Sequence, residues 1–129
     1  MDKFSLKWNE FHSNVSSSFG ILRNDEHLHD VTLVTENFEQ IMAHKLVLSV
    51  SSDYFHSLFN QNKSSNLMLC LEGVSKQDIN NMLDYMYNGE VQIYQDDLDR
   101  FLNVAQRFQF KGLLNIEKVE DDDSTCFIL

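Results

Sequence analysis

Three constellations along the 129-residue chain contain residue types that do chemistry. Asp30, His44 and Ser49 supply an acid, a base and a hydroxyl, the set from which a nucleophilic triad is built. His27-Leu28-His29-Asp30 places three nitrogen or oxygen ligands within four residues, as half a metal site would. Cys126-Phe127-Ile128-Leu129 has the form of a prenylation box ending in Leu. None is completed by its surroundings. The chain has no Gly-x-Ser-x-Gly elbow to present a nucleophilic serine, and its four glycines leave no phosphate-cradling loop. Zinc needs further ligands in fixed geometry, yet there is no second Cys or His cluster and no Cys-x-x-Cys pair. The prenylation box follows Glu120-Asp121-Asp122-Asp123, which an anionic membrane surface repels, where a polybasic flank is wanted. The reading is of a protein with no catalytic residues, no metal and no cofactor. On it, His27 to Asp30 form a solvated loop before a strand, and His44 is a satisfied buried histidine at a strand-to-helix junction.

Charge narrows the partners. Twenty Asp and Glu against ten Lys and Arg give a net charge of −10, of which the acidic tail contributes only four. Phosphate binding requires a clustered basic face, and here the cations are scattered from Lys3 to Lys118, so no direct nucleic-acid binding is expected. No apolar run approaches the ~20 residues of a membrane span. Two cysteines, Cys70 and Cys126, read as free thiols in a reducing compartment, and Met1-Asp2-Lys3-Phe4 lacks a signal-peptide stretch, so an intracellular setting is expected. Hydrophobic residues at 43%, with ten Phe, suit one globular domain, and the length leaves no room for a second.

What remains is a set of elements whose apolar faces must be positioned. Phe4-Ser5-Leu6-Lys7-Trp8-Asn9 alternates strictly and predicts a strand with Phe4, Leu6 and Trp8 on one face. Phe11, Val15, Phe19 and Leu22 then fall at helical spacing from about Glu10 to Asn24, with Asn9 as N-cap. Asp30 to Val34 and Phe38 to Ala43 predict a hairpin whose turn residue Asn37 tolerates positive φ. Two short helices fit between Lys45 and Asn60, the second capped by Ser51 or Ser52. Leu67-Met68-Leu69-Cys70-Leu71 is continuously apolar, as a strand at the centre of the sheet would be. Ser75 to Asp78 opens a helix on Ile79, Met82, Leu83 and Met86 that ends at Asn88-Gly89. Val91-Gln92-Ile93 is a short strand, and Asp96, Asp97 and Asp99 begin a helix with the stripe Leu98, Phe101, Leu102, Ala105 and Phe108. A last helix is expected from Leu113 to Lys118. The domain is expected over residues 4–118, followed by an acidic, disordered tail at 119–129.

The first strand has no adjacent hairpin partner, because a helix follows it at once. Its backbone groups must pair with something distant, either within the subunit or on a second copy. The Phe11, Val15, Phe19 and Leu22 stripe is core or interface on the same evidence.

These residues resemble the BTB (POZ) domain. Asp30-Val31-Thr32-Leu33, then Ala43-His44-Lys45-Leu46-Val47-Leu48-Ser49 and Ser52-Asp53-Tyr54-Phe55-His56-Ser57-Leu58-Phe59, are similar to its core signature, and Leu83 to Val91 to a second block. Phe4 to Asn9, Phe101 to Ala105 and Phe110 to Leu113 resemble the tramtrack-type subgroup of arthropod transcription and chromatin factors, from whose usual opening Lys7 and Glu10 depart. The resemblance covers about residues 4–116. It implies an α+β fold: a small mixed sheet with surrounding helical hairpins and an N-terminal strand exchanged between subunits. It further implies a homodimer or larger closed oligomer in which Phe4, Leu6, Trp8, Phe11, Val15, Phe19 and Leu22 form the interface, the exchanged strand pairing with the edge around Val91 to Ile93. Asp30 and Lys45 match charged-pocket positions where other BTB domains engage corepressors, and an acid and a base there can equally form a structural pair. The implied function is a nuclear, non-enzymatic oligomerisation module for an attached DNA-binding region such as zinc fingers, with other BTB domains and corepressors as further partners. Another class of BTB domain is a substrate adaptor for cullin-type ubiquitin ligases.

Overall fold

The computed structural model describes residues 1–113 and, by their backbone, the strand residues 117–120 and 125–128. Its elements are α1 (Phe11–Leu22), β1 (Val31–Val34), β2 (Gln40–Ala43), α2 (Lys45–Ser51), α3 (Asp53–Gln61), β3 (Leu67–Cys70), α4 (Lys76–Asn88), β4 (Gln92–Tyr94), α5 (Gln95–Arg107), β5 (Glu117–Glu120) and β6 (Thr125–Ile128). A single 3₁₀ turn, Glu26–Leu28, precedes β1.

The first sheet has the order β2-β1-β3, with β1 antiparallel to β2 and parallel to β3. Alternation decides its inner face: Val31, Leu33 and Ala43 are buried, and Leu67 and Leu69 pack beside them. Parallel pairing needs a crossover, and α2 and α3 supply it between β2 and β3. The expectation of a central Leu67–Leu71 strand is corrected, because β3 lies at the sheet edge and leaves Met68 exposed. A continuous apolar run cannot reveal which of its residues face out; only the neighbours do.

The β1–β2 turn also differs. Thr35, buried, accepts the N–H groups of Asn37 and Glu39 on its hydroxyl at 3.2 and 3.1 Å, and its carbonyl accepts from Phe38 N–H at 3.0 Å. This closes the turn with Phe38, not Asn37, at a positive φ of 65°. At the start of α1, Glu10 and not Asn9 is the capping position, in the left-handed conformation at φ 63° and with no side-chain cap. Residues 1–8 form no strand within this chain.

The core is aromatic at its centre. Phe55 of α3 stacks on Phe59 at 5.9 Å and on Phe108 after α5 at 5.4 Å, and Tyr85 of α4 stacks on Phe110 at 5.9 Å. The hinge between α2 and α3 is a single buried residue, Ser52. Its hydroxyl accepts Phe55 N–H at 3.1 Å as N-cap and donates to the Phe108 carbonyl, and its backbone bridges Phe110. One side chain thus starts α3 and fastens it to the end of α5.

Ser75 and Asp78 form the capping box of α4, and Gly89 ends that helix at φ 80°. Asp78 is buried and Arg100 of α5 grips it through two nitrogens at 2.7–2.9 Å. Burial raises the Asp78 carboxyl, but the bonds from Arg100 and Ser75 prevail and hold it below its ordinary 3.8. Its contribution to stability is therefore present above pH 3.8 and is lost as pH falls further.

Strand β4 pairs antiparallel with β6, which pairs with β5, in the order β4-β6-β5. Glu117 and Lys118, expected in a last helix, stand in β5 instead, and 114–116 lie outside the described residues. Within 119–129, expected as a disordered tail, Val119, Glu120 and Thr125–Ile128 are strand residues here, and 121–124 and 129 lie outside the described residues.

Ser52→Ala is expected to lower stability by about 2–3 kcal/mol in chemical denaturation, because it removes a cap and orphans a buried carbonyl, whereas Ser51→Ala should cost under ~0.5 kcal/mol. Arg100→Ala should shift the acid-unfolding midpoint to higher pH, read by circular dichroism, since the Asp78 carboxyl loses its main compensating bonds.

Candidate interaction surface

Of the residues that could have made a triad, Asp30 and His44 are occupied elsewhere. Asp30 Oδ1 accepts the main-chain N–H of Lys45 at 2.7 Å, and His44 Nδ1 lies 2.7 Å from the Tyr87 hydroxyl. His29 Nε2 donates to the Arg23 carbonyl at 2.9 Å, and among the described residues no three His, Cys, Asp or Glu side chains converge as metal ligands. The chemistry of this chain lies in its exposed apolar surface.

That surface begins at the N-terminus. Phe4, Leu6 and Trp8 are 83, 94 and 62% exposed, far outside the range of side chains with a settled apolar contact. Among the described residues only Trp8 of these three has an aromatic neighbour, its ring meeting Phe11 edge-on at 5.0 Å. The segment therefore reaches α1 without being packed by it.

Helix α1 is bound to α4 and anchored by the ion pair of Arg23 with Asp84. None of its residues is fully buried. Phe19 packs on the core, Val15 and Leu22 are half-buried, and Phe11 and Ile21 are exposed. The stripe read from the sequence thus divides, with its C-terminal part facing the core and its N-terminal part open. On α2, which also packs on α4, Val47 and Leu48 are buried while Leu46 and Val50 are exposed. Leu46 and Val50 were missed as surface residues. Their i, i+4 spacing was a usable signal, since Val47 and Leu48 occupy the opposite face of the same short helix.

Val91 and Ile93 sit elsewhere. Their side chains are buried in the subunit's own core, and Gln92 and Tyr94 point outward, so this strand offers a partner its backbone and those two side chains. Asp30 and Lys45 meet through Asp30's carboxylate and Lys45's main chain. The Lys45 ammonium turns away to the Ser64 carbonyl and lies 5.8 Å from the centre of the Phe59 ring. The structure thus joins these two residues as a helix-start bond and not as an ion pair. A second exposed group, Met42, Met68 and Phe38, lies on the outer side of the first sheet and its hairpin tip, where Thr32 of β1 stands between Met42 and Met68. Sequence patterning did not separate these residues from the core.

Asp30→Ala should destabilise the chain by about 1–2 kcal/mol in urea, whereas Asp30→Asn, which keeps an acceptor oxygen, should retain most of that. Lys45→Met should be near neutral in the same measurement, because its ammonium is not the partner of Asp30.

Comparison with known proteins agrees with this architecture. The family model of the BTB/POZ domain matches residues 19–122. The chain is 41% identical over 111 residues to the Longitudinals lacking protein-like of Drosophila melanogaster, covering 86% of this chain and 87% of that one. It is 40% identical over 114 residues to the alpha isoform of Protein tramtrack from the same fly, covering 88% of this chain but only 14% of that protein. Among solved structures, the BTB domain of human Gigaxonin superposes with a TM-score of 0.70 at 22% identity, over 84% of this chain and 89% of that one. The α+β reading and the tramtrack-type resemblance are both borne out. With its mixed sheet, its paired helices and a family match across most of its length, the chain belongs to the BTB/POZ domain family of protein-interaction modules.

Proposed function

We propose that this domain is a homo-oligomerisation module that joins copies of a longer nuclear protein and so multiplies the valency of a DNA-binding region attached to it. The carrying observation is the exposure of Phe4, Leu6 and Trp8 together with the outer faces of α1 and α2. Burying a large apolar side chain is worth ~1.5–3 kcal/mol, so covering these three alone offers several kcal/mol, comparable with the total stability of a small domain. A second copy supplies what the lone subunit lacks. Phe4 to Asn9 crosses to the partner and pairs along β4, which stands at the end of its sheet among the described residues. Phe11, Val15, Leu46 and Val50 close the helical part of the interface.

The net charge of −10 supports a role without DNA contacts of its own. The chain spans about a seventh of tramtrack, which leaves most of such a protein to other regions. Linking weak sites makes later binding steps intramolecular and raises avidity by ~10²–10⁴.

Light scattering of the chain at low micromolar concentration is expected to give a multiple of 15.1 kDa, and one folded species at a single subunit's mass would refute the proposal. Removing residues 1–9 should cost ~3 kcal/mol or more and shrink the assembly, Trp8→Ala should do less of both, and Lys7→Ala should be near neutral. Because those changes can also unfold the subunit, Leu46→Lys with Val50→Glu provides a surface test: the mass should fall while the circular dichroism spectrum is kept. The isolated domain should not shift a duplex probe at physiological salt.

A further inference from the structure

The junction ahead of α2 holds two imidazoles that neither the core nor the apolar surface accounts for. His44 is 6% exposed, and its ring centre lies 4.6 Å from that of His29, tilted by 55°. On each ring one nitrogen is committed. The Arg23 carbonyl can only accept, so His29 Nε2 carries the ring proton and Nδ1 presents a lone pair. The Tyr87 hydroxyl accepts His44 main-chain N–H at 2.9 Å and lies 2.7 Å from His44 Nδ1. Among the described residues that hydroxyl has no other acceptor, so it donates its proton to Nδ1 and the His44 ring proton stands on Nε2.

Two nitrogens are left over, His29 Nδ1 and His44 Nε2. Among the described residues they are the two buried side-chain polar atoms without a partner. One is an acceptor and the other a donor. We infer that one water joins His44 Nε2–H to His29 Nδ1, and that this link is a pH-sensitive latch on the start of α2. His29 lines an open cavity of about 350 Å³ with Arg23, Glu26 and Asn80, while its Nδ1 and the His44 ring are buried.

The latch holds only while the His44 ring is neutral. A proton on His44 Nδ1 turns its bond with the Tyr87 hydroxyl round, and the hydroxyl proton is then left without an acceptor among the described residues. The surrounding charges do not cancel this. Asp30 by its charge and Asp25 by its main-chain carbonyl and its charge face the pair from the segment before β1 and favour protonation, Lys45 stands on α2, Glu26 is beside His29, and Arg23 with its partner Asp84 stands between α1 and α4. Burial first, and then the neighbouring His29, prevail and hold His44 below its ordinary 6.5. A base lowered in the folded state stabilises the fold above its unfolded value and loses that contribution as pH falls below 6.5. This window is separate from that of Asp78, which opens only below 3.8. Because His44 and Lys45 begin the helix that presents Leu46 and Val50, opening the latch also loosens that face, a consequence that rests on the oligomerisation proposed above.

The test uses the full 129-residue chain. At pH 7.5, ¹⁵N shifts of the imidazoles should show both rings as Nε2–H tautomers. The urea midpoint should fall by ~0.5 M or more between pH 7.5 and 5.5, and His29→Asn, which keeps an acceptor near the Nδ1 position and removes the neighbouring imidazole, should reduce that dependence. An Nδ1–H tautomer at His44 overturns the inference, as does a His29→Asn dependence equal to that of the unaltered chain. A midpoint raised by added zinc ion would assign the lone pairs to a metal and overturn it too. Mass by sedimentation at both pH values separates the two readings: a pH-dependent midpoint with unchanged mass keeps the latch and overturns its tie to assembly.

Discussion

The Tyr87 hydroxyl is the point from which the arrangement of this domain's surface follows. It belongs to α4, against which α1 and α2 both pack, and it receives the main-chain N–H of His44 just where β2 becomes α2. Burial pushes the phenol up to about 12, so its proton is present throughout the physiological range. With Asp30 holding the next N–H, at Lys45, the direction of α2 is set by two side chains from other elements. Seven residues of helix would not be stable alone. Their orientation is what turns Val47 and Leu48 inward and Leu46 and Val50 outward.

The same economy appears at Ser52 and Asp78. Each is a buried polar side chain that begins one helix and ties it to α5, Ser52 through the Phe108 carbonyl and Asp78 through Arg100. A domain of 15.1 kDa has a limited apolar interior, and these bonds orient its elements without consuming core volume. What the interior does hold is rigid aromatic surface, with Phe55 between Phe59 and Phe108. The apolar side chains that do not fit around that stack are left on α1, α2 and the N-terminal segment. Partial burial of amphipathic elements is thus the physical link between this fold and the oligomerisation proposed for it.

Parts of the architecture were legible wherever one residue type can satisfy one backbone need. The Ser75–Asp78 box and the Gly89 cap of α4 are such positions, because a hydroxyl or carboxylate on a free N–H and a left-handed glycine are local solutions. The α1 stripe and the β1–β2 hairpin were legible from periodicity. The turn inside the hairpin was not: Asn37 has the better intrinsic tolerance of positive φ, yet the Thr35 hydroxyl captures Asn37 and Glu39 and passes that conformation to Phe38. The edge position of β3 was not legible either, since five apolar residues in a row carry no phase.

By itself the sequence determined the order of elements from α1 to α5, the caps of α4, the acidity that argues against a nucleic-acid surface, and a family signature dense enough to name the fold. These depend on residue type and on spacing within a few positions, which local physics reads directly. Tertiary structure alone decided that Val91 and Ile93 are core, that Leu46 and Val50 are surface, that Asp30 reaches the main chain of Lys45 and not its ammonium, and that two histidines fifteen residues apart in sequence share one buried junction. The reason is that burial and hydrogen-bond partnership are properties of pairs of elements. Until α4 lies against α1 and α2, an apolar residue has no inside, and an imidazole nitrogen has no defined partner.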